Sequence, residues 1–230
     1  MPTIDELVRQ RSSLENLLEE APAKELELAV YDMCIQARAH YLRDMSRELE
    51  EILASTPEAQ KRQALLDWNE SYGHAPAYIF VLNFDPANPV HNQKTFGGKL
   101  LQREERPALG RKVDINDEVC FRDMKRVAYE DNAVLVQVDG TVYGTNVELV
   151  EINPQRILTE RSSTPGTLQE QLGFRQQVNS RHLYSIGASF EMPGTVVYTL
   201  GEGGNIRRFE KGGITFSTVR GETPNAGSPP

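Results

Sequence analysis

Cysteine is scarce: Cys34 and Cys120 are the only two in 230 residues. Two thiols so far apart give neither a metal-ligand spacing nor a disulfide framework, and both read as small core residues. Long apolar runs are missing too. Nothing approaches the ~18 consecutive apolar residues of a membrane-spanning helix, and the opening MPTIDELVRQ is amphipathic and acidic, without the apolar core of a secretion signal. Positive charge is in short supply, with 25 Lys and Arg against 33 Asp and Glu and a net charge of −8. That balance disfavours the phosphate-driven binding of a nucleic-acid protein but leaves room for a local basic pocket. The expectation is a cytoplasmic chain that works on neither membrane nor nucleic acid. What is present is apolar content of 39%, enough for a substantial core.

Residues 1–72 read as an antiparallel helical unit. Thr3 and Glu6 form a capping box ahead of Leu7. Leu26, Val30, Met33, Cys34, Ala37, Tyr41, Met45, Leu49 and Ile52 recur at spacings of three and four, the signature of a long amphipathic helix. Ser55, Pro57 and Glu58 start a third helix through Trp68. Such a unit serves either to pack on the rest of the chain or to control oligomerisation, and the two are compatible.

The pattern then changes. Tyr78 to Phe84 is an apolar run between Pro76 and Pro86, suited to a strand buried on both faces. A loop follows, with Gly97-Gly98 marking a turn or a close backbone approach, and then a helix over Asp117–Tyr129 capped by Asn116 or Asp117. Ala133–Val138 and Thr141–Val150 flank Asp139-Gly140, a strong hairpin signal that fully accounts for that acid. TERSSTPGTLQEQ is a polar loop, a helix from Asn179 or Ser180 runs to Phe190, and Thr195–Leu200 with Ile206–Phe209 makes a second hairpin. The fold class this predicts is α/β, or mixed α+β: a central mixed sheet flanked by helices and preceded by the N-terminal helical unit. The expected divisions are a helical region over 1–72, a mixed-sheet domain over 73–214 and a largely disordered tail over 215–230.

Two short stretches hold groups with chemical potential. In NSRHLYS, Asn179 and Ser180 are good N-cap residues, so the amides and the positive dipole end of the helix form an anion site. Ser180, Arg181 and His182 add a hydroxyl, a guanidinium fork that matches phosphate oxygens, and an imidazole. A plain capped helix with a surface Arg and a half-buried His has the same appearance. In YEDNAVLV, Glu130 and Asp131 lie at a helix-to-strand junction, where a carboxylate can hold a divalent cation or accept a proton, or can simply be a solvated loop acid.

Taken in order, these fragments make the chain resemble the diadenylate cyclase family, the catalytic domain of the DNA-integrity scanning protein and its relatives. Asp131-Asn132-Ala133 lines up with the family's Asp-Gly-Ala ahead of a strand, and SRHLYS over Ser180–Ser185 with its Gly-(Ser/Thr)-x-Arg-His-Arg type motif at a helix start. The stretches ALGRKVDINDEVCFRDMKRVAYEDNAVLV and TVVYTLGEGGNIRRFEKGG are similar to the family's flanking segments, and the resemblance covers roughly residues 76–213. Two positions depart from the pattern: Asn132 stands at the Gly and Leu183 at the second Arg.

The resemblance implies an enzyme that condenses two ATP into cyclic di-AMP and two pyrophosphates, at a site shared by two facing monomers of a homodimer or larger homo-oligomer. It implies a divalent metal, Mn²⁺ or Mg²⁺. It gives Asp131 the role of binding metal or activating the 3′-hydroxyl. Asn132 and Ala133 contact the nucleotide, Ser180 and Arg181 hold phosphates, and His182 binds phosphate or metal. Arg175 is a candidate stand-in for the missing Arg. The departures keep open a cyclase-like module that binds ATP or a cyclic dinucleotide as a sensor, and an interaction protein whose sheet is only a scaffold.

Overall fold

The computed structural model describes residues 2–71, 75–96, 99–100, 106–129, 132–160 and 166–222, with backbone alone at 69–71, 99 and 100. The chain opens with helices α1 (Ile4–Leu17), α2 (Lys24–Ser55) and α3 (Glu58–Ser71). Strand β1 (Tyr78–Leu82), helix α4 (Pro89–Gln93), short strands β2 (Thr95–Phe96) and β3 (Lys99–Leu100) and helix α5 (Glu118–Val127) follow. Next come β4 (Ala133–Val136), β5 (Val142–Leu149), α6 (Gln155–Glu160), α7 (Leu168–Gln171) and α8 (Ser180–Glu191). The last elements are β6 (Val196–Leu200), β7 (Ile206–Glu210) and β8 (Gly213–Ser217).

The strands form a mixed sheet in the order β2-β5-β4-β1-β6-β7-β8, with β3 also on β5. β1 lies parallel to β4 and antiparallel to β6. A parallel pair needs a crossover, and the segment carrying α5 supplies it. The sheet is covered on both sides, which explains the unbroken apolar run of β1. Tyr78, Phe80 and Leu82 enter one core with α1, α2 and α5. Ile79 and Val81 enter the other, against α6 and α8.

The expected fold class is therefore what the chain adopts. The capping box at Thr3 and Glu6 forms, and Asp117 caps α5 through bonds to the amides of Val119 and Cys120. Among the described residues, no helix is long and apolar enough to cross a membrane.

Helix α1 and the first half of α2 pack into the main core. Leu7, Leu14, Val30, Tyr31, Met33 and Cys34 share a cluster with Tyr78, Phe80 and Tyr198. A buried polar lock fixes them: Glu27 accepts from Tyr198 Oη at 2.6 Å and from Arg208 Nε and Nη2 at 2.6 and 3.1 Å. Beyond Arg38, no described side chain of α2 or α3 is buried.

Three sequence expectations need correction. β4 ends at Val136, and Val138 is 75% exposed, because the turn already begins with the Gln137–Gly140 bond. The polar loop TERSSTPGTLQEQ begins inside the end of α6 and includes all of α7, the latter started by a capping box of Thr167 and Glu170. Residues 215–222, expected in the tail, are ordered. β8 runs to Ser217, and Glu222 is buried because Arg207, 2% exposed on β7, takes it as its carboxylate partner at 2.8 and 2.9 Å. Residues 223–230, Gly97 and Gly98 lie outside the described residues.

Candidate functional site

Where β1 and β4 begin, the sheet and the start of α8 enclose a cavity of about 270 Å³. Ile79 and Ala133, register partners on these parallel strands, form its floor. Glu148 and Leu149 enter from the end of β5. Asn179, Ser180, Arg181 and Tyr184 come from α8 and its cap, and Glu202 from the β6–β7 turn.

Asn179 has the extended backbone of an N-cap, with ψ at 176°, yet its side chain caps no helix amide. His182 has taken it: the imidazole Nδ1 lies 2.8 Å from Asn179 Oδ1. An amide oxygen only accepts, so Nδ1 carries the proton. Burial pushes the His182 pKa down to about 3, with Arg207 and Arg181 adding to the effect, so the ring stays neutral. Asn179 thus leaves the first-turn amides of α8 to the cavity, where the helix dipole and those donors favour an anion.

Arg181 strengthens that preference. It is only 9% exposed, and its Nη1 lies 3.6 Å from Glu202 Oε1. Asn132 turns its amide aside and donates from Nδ2 to Asn146 Oδ1 at 2.6 Å. Asn146 adopts a φ of 57° where the β4–β5 register slips, so the Asn132 side chain is taken up by an irregularity in the neighbouring strand. Tyr184, one turn along α8 from Ser180 and Arg181, is 43% exposed. A ring in that position can stack on a base or sugar.

Four of the sequence candidates therefore meet around one cavity: Asn132 and Ala133 from one motif, Ser180 and Arg181 from the other. Asp131 and Glu130 lie outside the described residues. His182 is not in the cavity wall. It packs behind it against Phe174 and the backbone at Gly201, where an added Cβ would sit 3.2 Å from Nε2. Leu183 packs into the α8-side core, and Arg175 borders a separate pocket with it, so Arg175 does not replace a cavity cation. Sequence reasoning missed Glu148, Tyr184 and Glu202. Tyr184 was detectable, since it follows Ser180 by four and Arg181 by three on one helix face. Glu148 and Glu202 had no local signal; long-range pairing brings them in.

The divalent metal implied by the resemblance finds little support in these side chains. Among the described residues no group of three or more His, Cys, Asp and Glu could hold a metal ion. The buried Nδ1–H of His182 is committed to Asn179.

No family model matches the sequence, and no curated protein matches it.

Proposed function

We propose that the chain is a diadenylate cyclase, joining two ATP molecules into cyclic di-AMP. The observation that carries this reading is the cavity itself: two motifs 47 residues apart in sequence line one concave site with an uncapped helix N-terminus and a nearly buried Arg. At about 270 Å³ it falls just below the usual ligand pockets, which run from ~300 Å³ upward. Such a volume encloses part of a nucleotide and leaves the rest for the face of a second copy. The reading accordingly takes the active form as a homodimer or larger homo-oligomer.

In this mechanism the 3′-hydroxyl oxygen of one ATP attacks the α-phosphorus of the other. The new P–O bond forms as the bond to the β-phosphate oxygen breaks, and pyrophosphate leaves. The hydroxyl proton passes to a carboxylate, the role this reading gives Asp131. A second such step closes the ring. Arg181, Ser180 and the α8 amides hold and neutralise the phosphates, and Tyr184 positions the base. Positioning and charge stabilisation supply most of the catalysis. A divalent cation enters only with the triphosphate, and no step here is routed through it. ATP as substrate places the activity in the cytoplasm.

A second reading has a specific observation in its favour. Glu202 faces Arg181, and the Asn132 amide is committed to Asn146. Both features suit a module that binds ATP or a cyclic dinucleotide without turning it over. Incubation with ATP and Mn²⁺ beside a binding titration separates the two. Cyclic di-AMP supports the cyclase; saturable binding without product supports the sensor; no binding removes both.

A further inference from the structure

The β6–β7 turn, Gly201 to Asn205, is tied down from two sides. From α8, Arg181 Nη1 faces Glu202 Oε1 at 3.6 Å. From α2, Arg38 Nη1 donates to the Glu202 backbone oxygen at 3.1 Å. Gly204 has a φ of 80°, and a Cβ there would meet Arg38 Nε at 3.0 Å, so the turn is shaped to receive that guanidinium. Arg38 is the last buried residue of α2, 4% exposed. Glu202 differs from both arginines: its side chain is 49% exposed and can swing without opening a core.

We propose that Glu202 is a built-in counter-ion of the anion site, yielding Arg181 to a phosphate when a ligand binds, with Arg38 as the tether that holds it there. This rests on the reading that the cavity takes a phosphate-bearing ligand, but not on turnover. A phosphate must displace a carboxylate that is covalently part of the turn and always close. An uncharged ligand gains nothing by displacing it. The pair thus selects for strongly anionic ligands. Arg38 acts through Glu202, so it is a positioning residue. Because it lies on α2, any change in how α2 packs reaches the site through it.

The test is calorimetric titration of the full chain with ATP, with inorganic pyrophosphate and with adenosine. Wild type is compared with Glu202→Gln, Arg38→Met, their double variant and Arg181→Ala. The exposed Glu202→Gln is expected to bind ATP and pyrophosphate roughly two- to five-fold more tightly, the range of a partly exposed ion pair released, with adenosine unchanged. Arg38→Met is expected to tighten both anions as well, and the double variant to gain nothing beyond Glu202→Gln, a non-additivity that a purely structural role would not give. Anion binding that Arg181→Ala abolishes but Glu202→Gln leaves equal or weaker overturns the counter-ion and keeps the site. Failure of every variant and of wild type to bind either anion overturns the site and the counter-ion together.

Discussion

Acid should loosen this protein at His182. The His182 imidazole is 5% exposed, and burial, with Arg207 and Arg181, holds its pKa at about 3. In the unfolded chain it returns to about 6.5. Between those values the unfolded state binds the extra proton, so stability from this group is full above about pH 6.5 and is lost as pH falls towards 3. At about 1.4 kcal/mol per pH unit, going from pH 6.5 to pH 5 removes about 2 kcal/mol. The structural cause is plain: protonation would place a second N–H at Nε2, which has no hydrogen-bond partner and lies against the Gly201 backbone. The assay is urea unfolding followed by circular dichroism from pH 5 to pH 8, for wild type and His182→Gln. Wild type should lose about 2 kcal/mol more than the variant across the acid half of that range. Parallel curves would refute the buried neutral imidazole, and with it the account of why Asn179 leaves the helix uncapped.

Other perturbations follow from the same contacts. A Cβ on Gly187 would sit 2.5 Å from Ile152 Cγ2 and 3.5 Å from the Pro154 nitrogen. Gly187→Ala should therefore lower the melting temperature, because overpacking at ~1–3 kcal/mol outweighs the ~1 kcal/mol helix-propensity gain. Adding Ile152→Ala should turn the same change stabilising. Glu27→Ala strands the buried Arg208 and the Tyr198 hydroxyl, and denaturant unfolding should show a loss of about 3 kcal/mol or more. Tyr184→Ala should weaken ATP binding about ten-fold by titration, in line with base stacking, leaving pyrophosphate binding and stability nearly unchanged.

How much of this was legible in the sequence depends on how local each signal is. The capping box at Thr3, the α2 periodicity, the apolar run of β1 and the Asp139-Gly140 turn all write their structure into adjacent residues, and each was readable. β8 was not, because its partner β7 and the burial of Glu222 by Arg207 are settled by tertiary contact. The cavity shows the same division. Ser180 and Arg181 announce themselves by standing at a helix start. Glu202 joins them only because the β6–β7 hairpin folds back over α8. His182 illustrates the limit most clearly: its sequence neighbours suggested a ligand, while burial makes it a neutral prop for Asn179.

The most direct test of the central claim is to incubate the purified chain with ATP and Mn²⁺ and read the products by mass spectrometry. The account predicts cyclic di-AMP and pyrophosphate from wild type, and neither from Asp131→Asn or Arg181→Ala chains that melt like wild type. Cyclic di-AMP made equally well by Arg181→Ala, or no cyclic di-AMP from wild type, would contradict it.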